Sequence, residues 1–194
     1  MAKVLFIKPI PTHKRVQIGV ENDDGETLVL KVRESTYTSL GAPTRAEELS
    51  DAVLESLIRE DELLRAYKKA VGWLADSDKS RLELKRKLFA LGFSKEIVEV
   101  ALDKCEQYGY LDEERQLERL VEREANRKLR GRYYIRRKLA AKGYRTSAID
   151  RATDVLVDRG EIDFKANFER LTEKRGALEE TEVMNLKYRY GYEI

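Results

Sequence analysis

Apolar residues recur at intervals of three and four along most of the chain, and this spacing places them on one face of an α-helix. The clearest stripe lies between Ser94, which can cap a helix, and Gly109, which can end one. Similar stripes precede and follow it, so the pattern predicts a mainly α-helical protein. The apolar positions of the clearest stripe are Ile97, Val98, Ala101, Leu102 and Cys105.

Residues 1–35 follow a different pattern. Val4–Ile10 and Arg15–Val20 are rich in β-forming residues, and Thr27–Val32 alternates between apolar and polar positions as a strand does. Asn22-Asp23-Asp24-Gly25 precedes the last of these segments and is a strong turn signal. We expect a small antiparallel hairpin or three-stranded sheet. It is too small to be stable alone, so it should pack against the helix that follows.

A 33-residue segment occurs twice in the chain. Ser80–Asp112 and Gly131–Asp163 align without a gap at an offset of 51, with ten identical positions. A repeat of this length is typical of stacked helical units. The identities are Arg81/Arg132, Arg86/Arg137, Lys87/Lys138, Leu88/Leu139, Ala90/Ala141, Gly92/Gly143, Ala101/Ala152, Asp103/Asp154, Gly109/Gly160 and Asp112/Asp163.

Capping signals predict three helices in each copy: Ser80 with Glu83 resembles a capping box, and Gly92 can supply a left-handed stop. A third copy begins near Asp163, and its second helix is expected to end at Gly191. Thr44 with Glu47 also resembles a capping box and predicts a linking helix. We therefore predict tandem three-helix repeats in an elongated, curved array. The predicted division is a β-rich extension at 1–43, the linking helix at 44–61, repeats at 62–111 and 112–162, and an incomplete third repeat at 163–194.

Charge is unevenly distributed. The formal net charge is only +2, yet residues 126–145 hold nine Lys and Arg and no acid. Such a block suggests a polyanionic or acidic partner. The alternative is that the cations pair with acids on adjacent helices, such as Glu118, Glu122 and Glu124. The predicted partner-binding or DNA-binding residues are Lys85, Arg86, Lys87, Arg127, Lys128, Arg130, Arg132, Arg136, Arg137, Lys138, Lys142 and Arg145.

Tyrosines accompany these cations. Tyr133, Tyr134 and Tyr144 lie in the basic block, and a second set follows at Tyr188-Tyr190-Tyr192. Tyrosines beside cations can stack on bases, and they can equally be half-buried packing residues. The pattern leaves both interpretations open.

The sequence does not favour an enzyme. His13 is the only histidine and has no plausible triad, and Cys105 aligns with Leu156 of the next copy, which indicates a core position. There is no phosphate-binding glycine loop and no metal-ligand spacing, so no cofactor is predicted. Met1–Pro11 lacks a signal-peptide pattern, and no apolar run approaches the ~20 residues that would span a membrane. We expect a cytoplasmic protein that does not bind membranes.

The order and spacing of several segments resemble the bacterial RecX family. These segments are Glu60–Tyr67, Ser80–Leu88, Gly109–Asp112 and Arg130–Gly143. The resemblance implies a non-enzymatic, monomeric regulator of the recombinase RecA. Such a protein binds RecA monomers, or enters the groove of the RecA–single-stranded-DNA filament, and usually inhibits it. The implied processes are homologous recombination, DNA repair and the SOS response.

The basic surface of the second repeat is then expected to contact acidic filament surface, DNA phosphate, or both, with weak direct binding to DNA. A stand-alone helix-turn-helix-like DNA-binding module is the alternative, because short three-helix units with a basic second helix resemble such domains. A passive helical scaffold is a third possibility for the function. The chain departs from the family at Asp76-Ser77-Asp78-Lys79, which is acidic where the family is commonly basic, and in its incomplete third repeat.

Overall fold

The computed structural model describes residues 2–22 and 24–193. It divides the chain into two compact units, one made of Met1–Trp73 with Lys87–Gln107 and the other of Leu74–Arg86 with Tyr108–Ile194. Helices predominate and an antiparallel sheet lies at the N-terminus, so the predicted fold class is confirmed.

The sheet has four strands in the order β3-β2-β1-β4, and every neighbouring pair is antiparallel. The strands are β1 Ala2–Ile10, β2 Arg15–Glu21, β3 Thr27–Arg33 and β4 Glu48–Leu49. Strand β4 was not predicted, because two residues are too few to show an alternating pattern. Asn22 accepts hydrogen bonds from the backbone N–H groups of Asp24 and Glu26 at the predicted turn. Asp23, in the same turn, lies outside the described residues.

One face of the sheet packs against the long helix α2, Asp51–Asp76. Its Leu57 is fully buried there, beside the half-buried Val53, Leu54 and Ile58. Burying a large aliphatic side chain stabilises a fold by about 1.5–3 kcal/mol, so this helix supplies the second layer that the sheet needs. The buried residues of the strands are Ala2, Val4, Val16, Ile18, Val20, Leu30, Val32 and Leu49.

The prediction of a linking helix from residue 44 was wrong. Thr44 and Glu47 do bond, with the backbone N–H of Thr44 donating to Glu47 Oε2 at 2.7 Å, but they form a turn. Helix α2 begins at Asp51 and is continuous to Asp76, so the helices predicted on either side of residue 61 are one. A short helix α1, Glu34–Ser39, was also missed. An acid at the centre of α2 bonds to the sheet: the backbone N–H of Lys31 donates to Asp61 Oδ1 at 2.8 Å.

Two further helices follow α2: α3, Arg81–Ala90, and α4, Lys95–Gln107. Gly92 between them has a φ of +85°, so the predicted left-handed stop is confirmed. All five apolar positions of the clearest sequence stripe are buried on α4. Cys105 is 0% exposed, which confirms it as a core residue.

The second repeat comprises helix α5 Glu113–Glu122, a π-helical turn Arg123–Arg127, helix α6 Arg132–Ala141 and helix α7 Thr146–Asp158. Asp112 caps α5 by accepting a hydrogen bond from the backbone N–H of Arg115. The apolar stripes meet in one core: Leu117, Leu120, Val121, Ala125, Ile135, Leu139, Tyr144, Ile149, Ala152, Leu156 and Ile162.

The start of α3 belongs to the same unit as the second repeat. Ser80 Oγ accepts a hydrogen bond from the backbone N–H of Glu83, as its capping pattern predicts, and donates to the carbonyl of Lys142 at 2.6 Å. In the acidic turn before it, Asp78 pairs with Arg119 at 2.7 Å.

The incomplete third repeat has helices α8 Phe164–Glu173 and α9 Glu180–Tyr190. Gly191 follows α9 with a φ of +77°, so the predicted glycine stop is confirmed. A small core joins the repeat to the segment before α6, and it contains Leu129, Leu171, Leu186 and Tyr192. The boundaries of the repeats and the curvature of the array stay predictions.

Candidate functional site

Helix α6 carries four of the nine cations of the basic block. Ile135 and Leu139 are buried at 0% and 1% exposure. Arg136 and Arg137 are exposed, and Lys138 is half-buried. Because successive helix positions turn by about 100°, the three adjacent cations do not share one surface.

Lys128 and Lys138 bind the same buried acid, Glu124, which lies in the π-helical turn and is 1% exposed. The two ammonium groups lie 2.8 and 2.7 Å from its carboxylate oxygens. Burial alone raises the pKa of Glu124, but the hydrogen bonds and charges of the lysines outweigh that effect, and the pKa falls below its ordinary value. Much of the charge of these lysines therefore neutralises a carboxylate inside the unit.

Two arginines of α6 are held by acids of α7. Arg132 pairs with Asp154, and Arg136 Nε lies 3.1 Å from Asp150 Oδ2. Each of these side chains is at least a third exposed, so each pair contributes no more than about 1 kcal/mol. Pairing with acids thus accounts for four cations of the basic block, three of them held by an acid of another element and Lys128 by Glu124 one turn earlier.

Arg130 is held by aromatic rings. Its guanidinium carbon lies 4.3 Å from the ring centroid of Tyr134 and 4.3 Å from that of Tyr190. Its Nε is buried and has no hydrogen-bond partner among the described residues. Arg130 therefore connects α6 to the end of α9 as part of the packing.

The remaining cations of the block are exposed. Within residues 2–22 and 24–193, Arg127, Arg137, Lys142 and Arg145 form no ion pair. Among the nine cations of the basic block, these four are the ones that neither an acid nor a pair of rings holds in the described part of the chain.

The three predicted cations of the first copy also differ from one another. Lys85 is half-buried, and Arg86 is exposed. Lys87 Nζ lies 5.0 Å from the centroid of the Trp73 ring, so this lysine covers an aromatic face.

The tyrosines divide into packing residues and exposed residues. Tyr144 is 4% exposed, and its hydroxyl donates to Gln116 Oε1 at 2.8 Å. The pKa of Tyr144 is raised above its ordinary value, and burial is the largest cause. By contrast Tyr133 is 57% exposed and Tyr188 is 80% exposed. For Tyr144 the packing interpretation is right, and Tyr133 and Tyr188 are free to contact a ligand.

An open groove of about 1020 Å³ lies between helices α6 and α9. Its α6 side includes positions spaced by three and four, which is one face of the helix. Sequence reasoning identified the α6 cations but missed Arg189, because nothing in the local pattern of α9 shows that it meets α6. The lining residues are Tyr133, Tyr134, Arg136, Arg137, Ala140, Thr146, Tyr188, Arg189, Gly191 and Tyr192.

A close backbone contact fixes the two walls of this groove. The N–H of Gly131 donates to the carbonyl of Tyr190 at 2.9 Å, and the N–H of Tyr133 donates to the carbonyl of Gly191 at 3.1 Å. A Cβ atom on Gly131 would lie 2.2 Å from the Gly191 carbonyl oxygen, and one on Gly191 would lie 2.3 Å from Tyr134 N. Only glycine fits at both positions.

The described part of the chain has no group of three or more His, Cys, Asp or Glu side chains that could hold a metal ion. None of its helices is long and apolar enough to span a membrane.

Comparison with known proteins finds a family match in part of the chain. Residues 66–105 match the family profile described as RecX, first three-helix domain. A Pseudomonas fluorescens protein named Regulatory protein RecX is 38% identical over 92 residues, which are 47% of this chain and 59% of that protein. Residues 66–105 therefore carry a domain of the RecX family. The match with this RecX relative spans less than two thirds of the relative's length.

Solved RecX structures share the fold. A crystal structure of regulatory protein RecX superposes with a TM-score of 0.72 at 21% identity, covering 100% of this chain and 95% of that one. RecX from Lactobacillus salivarius superposes with a TM-score of 0.55 at 18% identity, covering 67% of this chain and 86% of that one. The RecX fold therefore extends beyond the segment matched in sequence.

Proposed function

We propose that this RecX-family chain is a non-enzymatic regulator of the recombinase RecA and that it inhibits RecA by binding in the groove of the RecA–DNA filament. The family match carries this proposal. The regulated processes would be homologous recombination, DNA repair and the SOS response.

The charge distribution supports a filament as the partner. A filament on DNA presents phosphates and protein surface at regular intervals, and stacked helical repeats offer an extended surface rather than a pocket. Exposed cations accelerate encounter with such a polyanionic target and make binding sensitive to salt.

Of the predicted contact residues, we propose that the exposed, unpaired ones contact the partner most directly. These are Arg86, Arg127, Arg137, Lys142 and Arg145. The cations that pair with Glu124, Asp150 and Asp154 shape and support that surface.

The test is single-stranded-DNA-dependent ATP hydrolysis by RecA, titrated with the chain. We expect the wild-type chain to suppress hydrolysis and the variant Arg137→Glu/Lys142→Glu/Arg145→Glu to lose most of that effect. A matched control, Arg115→Glu/Arg151→Glu/Lys165→Glu, reverses three charges that are exposed elsewhere in the same unit.

Equal suppression by both triple variants would show that the contact surface lies elsewhere. No suppression by the wild-type chain at several micromolar, together with tight binding to duplex DNA, would refute the proposal and favour the stand-alone DNA-binding module. Circular dichroism checks that each variant keeps its helices.

A further inference from the structure

We propose that the groove between α6 and α9 binds single-stranded nucleic acid, with Tyr133 and Tyr188 stacking on bases and Arg137 and Arg189 contacting phosphates. This inference rests on the proposed function for its biological role and deepens it by naming a ligand and a site. Binding itself requires no RecA.

The exposed aromatic faces are the first observation. Tyr134, Tyr144, Tyr190 and Tyr192 each contact a guanidinium group or hydrogen-bond through the hydroxyl. In the described ranges, the side chains of Tyr133 and Tyr188 make no such contact. Tyr133 is 57% exposed and Tyr188 is 80% exposed. A tyrosine whose side chain is mostly exposed contributes little to the fold, and its ring is available for a ligand.

The charge of the groove is the second observation. Three arginines line it, and no Asp or Glu is among the lining residues. Arg136 is held by Asp150 at 3.1 Å. Arg137 and Arg189 form no ion pair with any described residue and are exposed. The groove therefore attracts an anion without first having to break an ion pair.

The combination of unpaired arginines and exposed aromatic rings favours one class of polyanion over the others. An acidic peptide would satisfy the arginines but would leave the rings without a partner. A duplex keeps its base faces stacked inside the helix, so the rings cannot reach them. A single strand offers both phosphates and unstacked base faces, and this combination is how proteins bind single strands without strong sequence preference.

The size and rigidity of the groove agree with this ligand. Its volume of about 1020 Å³ lies at the upper end of the range of about 300–1,000 Å³ that small-molecule pockets occupy. The backbone contact between Gly131 and Gly191 holds the two walls together before any ligand arrives. A preformed site binds more tightly, since less conformational freedom is lost on binding.

The experiment measures fluorescence anisotropy of a labelled oligonucleotide of about 15 deoxythymidines, close to the upper site size of single-strand-binding folds. The full chain is titrated into it at low salt, without RecA. For Tyr133→Ala/Tyr188→Ala we expect affinity to fall by at least about 30-fold, the effect of losing two base stacks. Tyr133→Phe/Tyr188→Phe keeps both rings and should stay within about 3-fold of wild type.

The salt dependence of the binding affinity tests the two arginines. For Arg137→Gln/Arg189→Gln we expect the slope of log affinity against log salt to become shallower by about 1.4, the value for two phosphate contacts to a single strand. Tyr108→Ala and Arg115→Gln are the matched controls, because each removes an exposed tyrosine or arginine that does not line the groove. Both should bind like wild type.

Any of three results would overturn the inference. The first is unchanged affinity in Tyr133→Ala/Tyr188→Ala, and the second is tighter binding to a duplex of the same length. The third is that polyglutamate displaces the oligonucleotide as effectively as unlabelled single strand does. None of them bears on suppression of RecA. Conversely, strong oligonucleotide binding with no effect on RecA would refute the proposed function and leave the groove assignment intact.

Discussion

Gly131→Ala should detach the end of α9 from α6. The new methyl group would lie 2.2 Å from the carbonyl oxygen of Gly191 and 2.6 Å from Tyr192 N. Distances below 3 Å require one segment to move, and both obstacles are backbone atoms that cannot rotate away. The expected result is that residues 186–192 leave their position beside α6.

The size of the effect follows from the contacts that would be lost. They are the two backbone hydrogen bonds at 2.9 and 3.1 Å and the bond from the Tyr192 hydroxyl to the Leu129 carbonyl at 3.0 Å. At about 0.5–1.5 kcal/mol each, these three bonds sum to about 1.5–4.5 kcal/mol. Exposing the ring of Tyr192, now 8% exposed, adds about 1.5–3 kcal/mol. The local opening free energy of α9 should therefore fall by about 3–7.5 kcal/mol.

Hydrogen exchange monitored by mass spectrometry measures this local opening. Peptides that cover α9 should exchange much faster in Gly131→Ala, while peptides from the sheet should be unchanged. Gly72→Ala is the control, since Gly72 lies inside α2 with nothing within 4 Å of a new Cβ. There alanine should stabilise the helix by about 1 kcal/mol. Wild-type protection of α9 in Gly131→Ala would refute this explanation of how the groove is held together.

Two further substitutions test the interior of the second repeat. Glu124→Gln should lower stability by about 2 kcal/mol at pH 7, as it removes a charged partner from Lys128 and Lys138. Since the folded pKa of Glu124 is depressed, its contribution is complete above the ordinary value of 4.5 and is lost as the pH falls through the folded pKa. Melting temperatures of wild type and variant should therefore converge in acid, and a constant difference down to pH 3 would contradict the assignment. Tyr144→Phe leaves buried Gln116 without its hydroxyl donor and should cost about 1–3 kcal/mol, measured by urea unfolding; an unchanged midpoint would show that the bond contributes nothing.

Local sequence determined most helices of the repeats and their ends. The glycines expected to stop helices, Gly92, Gly109 and Gly191, all have positive φ, and Ser80 and Asp112 cap the helices they precede. Helix stops and caps depend on residues three or four positions apart, so they can be predicted from the sequence. Because the segment is repeated, the same signals occur in both copies. The core position of Cys105 followed from the same repeat.

Sequence periodicity failed where a distant partner decided the local structure. Strand β4 exists because it pairs with Ala2 and Lys3 at the edge of the sheet. Helix α2 is continuous through residue 61, where Asp61 accepts a hydrogen bond from the backbone of β3 and Glu60 pairs with Arg33 of the same strand. In both cases the segment makes a contact distant in sequence that the local pattern does not show.

The candidate site was determined only by the tertiary structure. The sequence shows nine cations in the basic block, but the packing of α6 against α7, α9 and the π-helical turn decides which of them acids and rings hold. It also brings Tyr188 and Arg189 of α9 to the same groove as Tyr133 and Arg137. Charge and aromatic character are properties of residues, whereas availability to a ligand depends on which neighbours the fold supplies.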